Sequence, residues 1–165
     1  MSEVAGEPQD HPHHTSLWYA HQDANGVDTW NFKKGKIVVQ GKPEVKVADG
    51  AVVLRESALW NSAEGKTVAK EAAVYRFGAL ADGSRFIDVA VTLSPADGPL
   101  KLGDAKDGVL AVRLRPEFDF KNEKTSALNS AGDEKKTIWS KRGNWVKYET
   151  VVDGKECGVA MFDDP

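Results

Sequence analysis

Short runs in which apolar and polar residues alternate, each closed by a turn sequence, constrain this chain more than any other feature. Residues 51–60 (AVVLRESALW) and 67–77 (TVAKEAAVYRF) flank Asn61-Ser62-Ala63-Glu64-Gly65-Lys66, which reads as a hairpin loop. Ala81-Asp82-Gly83-Ser84 carries the Asp-Gly reversal signal. In the run that follows, Ile87, Val89, Val91 and Leu93 fall on one face and Phe86, Asp88, Ala90 and Thr92 on the other. Residues 109–115 (VLAVRLR) turn Leu110, Val112 and Leu114 inward, with Arg113 and Arg115 opposite. Residues 145–152 and 155–162 flank Asp153-Gly154, a second two-residue hairpin signal. Two further short strands are expected at 36–40 and 44–47. A period of two with so few helical stretches predicts an all-β chain: an antiparallel β-sandwich with short irregular or helical insertions. The polar stretch 117–136 (EFDFKNEKTSALNSAGDEKK) breaks the pattern and reads as a long surface excursion or a lid.

At 165 residues the chain suffices for one core, so residues 11–165 are expected to form a single β-sandwich domain behind a flexible segment 1–10. The net charge of −3, with both signs interspersed, provides no basic footprint for nucleic acid. No apolar run approaches the roughly 20 residues that span a bilayer. The acidic start MSEVAGEPQD lacks the features of a signal peptide, so no membrane association and a cytoplasmic location are expected. The single cysteine, Cys157, excludes an internal disulfide and reads as a small buried strand residue.

All four histidines lie between His11 and His21. In an extended segment His11 and His13 share a face and His14 points away, and Pro12 favours that extension. With His21 and Asp23 they form a mixed nitrogen and oxygen set, so a divalent metal on His11, His13 and His21 is one reading. No established metal-binding spacing accompanies them, and the 23–28 stretch departs from a calcium loop in its glycine and glutamate positions. The same stretch, with Asn25-Gly26, reads as a tight turn. A second reading is a sugar site, in which His and Asp bond hydroxyls and move protons while aromatic rings stack on the sugar's apolar face. A second cluster, Trp139-Ser140-Lys141-Arg142-Gly143-Asn144-Trp145, places two tryptophans around a Lys-Arg pair suited to anions or polyols. Glu56, Glu71, Arg76 and Arg113 interrupt apolar runs and suggest one polar sheet face.

Residues 11–30, HPHHTSLWYAHQDANGVDTW, are similar to the HPHH-x-S/G-LW-x-x-H-x-D-x-NG-x-D-x-W signature of the PmoA-like family of bacterial proteins. Residues 138–165, IWSKRGNWVKYETVVDGKECGVAMFDDP, resemble that family's W-G-K-R-x-x-W-V-x-Y…DG…G-V-A-I-F-D-H-P block, and residues 101–116, KLGDAKDGVLAVRLRP, its D-x-K-x-G-x-x-x-x-R segment. The resemblance implies a large mutarotase-like sandwich. Members often accompany sugar-catabolic oxidoreductases, which implies a carbohydrate-related role; the label "methane oxygenase" is taken as a name only. Two departures stand out: Ser140 replaces the pattern's glycine and Asp164 its histidine. The pattern also extends beyond both ends of this chain, so a truncated member is expected, with exposed sheet edges that would favour a homodimer.

These readings converge on a carbohydrate-related enzyme or sugar-derivative-binding protein, taking a carbohydrate or sugar acid. His11, His13, His14, His21 and Asp23 would supply acid/base groups, one histidine removing a proton beside a sugar carbonyl or from an anomeric hydroxyl. Lys141 or Arg142 would stabilise the oxyanion, Asn25 would bond a hydroxyl, and Trp18, Trp30, Trp139 and Trp145 would shape the pocket. A non-catalytic interaction module and a His-cluster metalloprotein are the alternatives.

Overall fold

The computed structural model describes residues 14–32 and 34–163. Its strands are β1 (Leu17–His21), β2 (Gly35–Ala48), β3 (Ala51–Ser62), β4 (Thr67–Ala79), β5 (Arg85–Pro95), β6 (Gly108–Val112), β7 (Ser126–Asn129), β8 (Trp145–Val152) and β9 (Lys155–Phe162). Two 3-10 turns, Pro116–Phe118 and Lys135–Ile138, are the helical segments among the described residues. None is long and apolar enough to cross a membrane. The chain is all-β and built on antiparallel sheets, in keeping with the sandwich class that the alternation predicts. The expected flexible segment 1–10 lies outside the described residues.

The chain divides into two compact units. One unit, called four-stranded after its larger sheet, comprises Leu17–Ala111, and a three-stranded unit comprises the described residues of Met1–Ser16 and Val112–Pro165. The first holds the meander β2-β3-β4-β5, the second the meander β7-β8-β9, and β1 pairs with β6. Hairpins form where the turn residues accept a left-handed backbone. Asp49-Gly50 (φ 50° and 73°) and Asp153-Gly154 (φ 49° and 78°) have positive φ at both central positions, the conformation that matches strand twist.

The two short strands expected at 36–40 and 44–47 are one strand. Pairing with β3 passes from Gln40↔Ser57 to Glu44↔Arg55, so Gly41, Lys42 and Pro43 face Glu56 alone. Pro43 has no N–H for the ladder and Gly41 adopts φ 66°, so the break in alternation is a bulge inside β2. Because β2 is an edge strand, the bulge leaves the rest of the sheet intact.

Registers place Ile37, Trp60, Ala69, Glu71, Tyr75, Val91 and Leu93 on one face of this sheet. Its buried centre is Trp60 with Ala24, Val27, Val68 and Ala69, against which Tyr19, Ile37, Leu93 and Leu100 pack. Glu56 and Glu71 share this apolar face, whereas Arg76 lies on the opposite one, where its guanidinium covers the Phe86 ring at 5.1 Å and bonds Asp88. The single polar face does not form. Glu71 is instead buried, and Trp60 Nε1–H donates to its Oε2 at 2.6 Å.

Burial holds the Glu71 carboxyl above its ordinary value; the Trp60 bond opposes the shift and the Glu56 charge adds to it. Burial also raises Tyr75, which bonds Glu56, to about 12. The folded state therefore keeps the Glu71 proton to higher pH than the unfolded chain. This contribution to stability is present at acid pH and is lost as pH rises through the raised value. Glu71→Gln keeps an acceptor for Trp60 and should flatten that decline. Urea titrations of both proteins from acid to neutral pH check this, and an unchanged slope in the variant would assign the titration to another group.

Candidate functional site

The second half of the histidine-rich block folds into a tight knot in the four-stranded unit. Asn25 and Gly26, at φ 51° and 82°, close a two-residue turn in which Ala24 and Val27 exchange backbone bonds of 3.0 Å. Asp23 Oδ1 accepts the Gly26 N–H at 2.8 Å. Asn25 ties the turn to the segment after β5: its Oδ1 accepts from Lys101 N–H at 2.8 Å and its Nδ2 donates to the Pro99 carbonyl at 3.2 Å. Gly103 passes so near Asp23 that a Cβ there would overlap the carboxylate.

His21 is buried at 8% exposure and its Nδ1 accepts the Asp23 N–H at 3.0 Å, which puts the ring proton of the neutral form on Nε2. Its backbone bonds both the N–H and the hydroxyl of Thr29. The ring packs on Gly108, where an added Cβ would come within 2.6 Å of Cδ2. Trp18 and Trp30 meet at 5.4 Å with planes tilted by 59°. His21 Nδ1, Asp23 Oδ1 and the Asn25 amide thus shape the turn, and Trp18 and Trp30 meet each other. His11 and His13 lie outside the described residues, and His14 belongs to the other unit. Among the described residues no group of three His, Cys, Asp or Glu is placed to hold a metal ion.

The second cluster lies in the three-stranded unit. A 3-10 turn, Lys135–Ile138, leads into it, held where Glu134 N–H donates to Thr137 Oγ1 at 3.0 Å. Ser140 adopts φ 60°, a left-handed backbone that glycine takes up more readily than other residues. Trp139, Lys141 and Arg142 are exposed. Trp145 is half-buried on β8, opposite Phe162 on β9.

A cavity of about 500 Å³ lies in this unit on the other face of β8 and β9. Val146 pairs with Met161 and Tyr148 with Val159, and these four side chains line it together with Phe118 and Leu114. Asp119, Arg113 and Arg115 add charge. Arg113 and Arg115, expected opposite the inward apolar residues, line the same cavity as Val112 and Leu114, because β6 ends at Val112 and strict alternation ends with it. The Tyr148 ring stacks on Phe120 at 5.7 Å and 22°, and burial raises its phenol, which therefore stays neutral across the physiological range. Arg115 is gripped by Glu117: Nη2 lies 2.7 Å from Oε1 and Nε 3.2 Å from Oε2. That pair holds the Glu117 carboxyl below its ordinary range.

The turn that carries Glu117 is anchored from below. Its carbonyl oxygen accepts from Asn122 Nδ2 at 2.8 Å, Thr125 Oγ1 at 2.8 Å and Thr150 Oγ1 at 2.9 Å. Thr125 and Thr150 are buried, so the Val112–Asp119 wall rests on a fixed floor. The sequence reading missed Phe118, Tyr148, Val159 and Met161 as lining residues. The hairpin at Asp153-Gly154 implies that Tyr148, Val159 and Met161 share a face without showing that this face bounds a cavity, and no pattern in the 117–136 stretch marks Phe118.

The chain belongs to the Family of unknown function (DUF6807), whose model matches residues 2–165. Neither the curated proteins nor the solved structures yielded a match.

Proposed function

We propose, with membership of that family as the premise, that this chain binds a sugar derivative in the cavity of its three-stranded unit. The observation that carries the reading is the cavity itself. Its volume of about 500 Å³ suits a small molecule, and its mostly apolar lining converges with a neutral phenol and two guanidinium groups. The Tyr148 and Phe118 rings suit the apolar face of a pyranose, and the arginines suit its hydroxyls or an acidic substituent. The resemblance to PmoA-like proteins supports a carbohydrate ligand. Binding is favoured over histidine catalysis because His21 Nδ1 and Asp23 Oδ1 each accept a backbone N–H within the turn.

Val159 is 37% exposed on β9 and borders the cavity, so Val159→Trp fills the space without entering a packed core. In calorimetric titrations with a panel of hexoses and hexose-derived acids, the wild-type chain should bind at least one member. The variant should bind it at least about tenfold more weakly, a loss of about 1.4 kcal/mol. Equal binding by a folded Val159→Trp protein would move the ligand elsewhere on the molecule.

A further inference from the structure

We infer that Arg115 is the carboxylate subsite of this cavity and that Glu117 is its built-in competitor, so the ligand class is sugar acids. The inference rests on the binding role proposed above. Arg115 borders the cavity, whereas Glu117 is the one residue of 112–119 that does not. Its carboxylate nevertheless reaches back and takes the Arg115 fork in two bonds, 2.7 and 3.2 Å. That two-pronged fit is the one a planar guanidinium offers any carboxylate, including that of a ligand.

Three features make the grip releasable. The Arg115 and Glu117 side chains are 51% and 32% exposed, so water rehydrates Glu117 when it lets go. Water screens a pair at this exposure, so even its two-pronged fit is of modest net strength. The Glu117 main chain is held independently by Asn122, Thr125 and Thr150, so its side chain can leave Arg115 without moving the cavity wall. A sugar acid has what Glu117 lacks, because its ring also covers Tyr148 and Val159 while its carboxylate replaces that of Glu117. A neutral sugar gains nothing from displacing Glu117. Asp119, also in the lining, opposes anions, which leaves discrimination to the arginines.

The test compares glucuronate with methyl glucoside on the full chain, by calorimetry and by NMR of the arginine Nε–H resonances. Glucuronate should bind the wild-type chain at least about tenfold more tightly than the glucoside. Glu117→Gln should tighten glucuronate about two- to fivefold, the gain from removing a competitor held by one weak surface pair, and leave the glucoside unchanged. Arg115→Met should bring glucuronate down to the glucoside's affinity. Arg115 is exposed and Glu117 half-buried, and unchanged backbone NMR spectra verify the fold.

If both sugars bind but Glu117→Gln does not tighten glucuronate, or Arg115→Met keeps the acid preference, the inference is overturned and the binding role stands. If none of the three proteins binds either sugar, both fall.

Discussion

Trp60→Ala should cost the four-stranded unit about 3–5 kcal/mol, the range for deleting a large buried aromatic side chain. Trp60 is fully buried and is the largest such side chain, packed among Ala24, Val27, Val68 and Ala69 with Tyr19 beside it at 6.1 Å. The small alanines around it have no reach to fill the space. The substitution also removes the N–H that bonds Glu71 Oε2, leaving a buried carboxylate without that donor and raising its proton affinity further. Loss of hydrogen-exchange protection should therefore centre on β3 and β4. Adding Glu71→Leu to Trp60→Ala should recover part of the loss, because removing both partners costs less than stranding one. A loss below about 1 kcal/mol in Trp60→Ala would contradict this account of the core.

His21→Ala is expected to cost about 2–4 kcal/mol, combining lost packing of a buried ring with an unpaired Asp23 N–H. The loss should appear as faster exchange at Asp23, Gly26 and Val27, whose turn depends on that bond. His21→Asn offers an acceptor near the Nδ1 position and should restore part of the stability. The outcome separates two roles for the histidine block. A fully stable His21→Ala protein that had lost a sugar-dependent activity would make His21 a chemical group and overturn the turn-forming role.

Most of the fold was legible in the sequence, and the reasons are local. Alternation with Asp-Gly or loop punctuation located β3, β4, β5, β8 and β9 and all three of their hairpins, since a period of two and a positive-φ turn are properties of a few adjacent residues. Two strands were not visible. β1 (LWYAH) lacks alternation, and its histidine and tryptophan looked like site residues. β7 (SALN) has little strand preference of its own and forms as the partner of β8. Asn129 at its end fixes the turn beyond, its Oδ1 accepting from Ala131 N–H at 3.1 Å and Asp133 N–H at 2.8 Å. The excursion at 117–136 thus contains a strand and parts of both 3-10 turns.

The candidate site was less legible, and the difference is physical. By itself the sequence determined the sheet class, the hairpins and the Asn25-Gly26 turn, because each depends on backbone preferences of neighbouring residues. It also singled out the histidine block, whose second half forms a tight turn: Asp23, Asn25 and His21 find partners within the turn and along residues 99–103. Only the tertiary structure brought out the cavity proposed above as the ligand site. The cavity is made of side chains from 112–119, β8 and β9, brought together by strand register and by the polar anchor beneath Glu117. A concave space between distant segments has no period and no motif. It exists only once the packing that encloses it is complete.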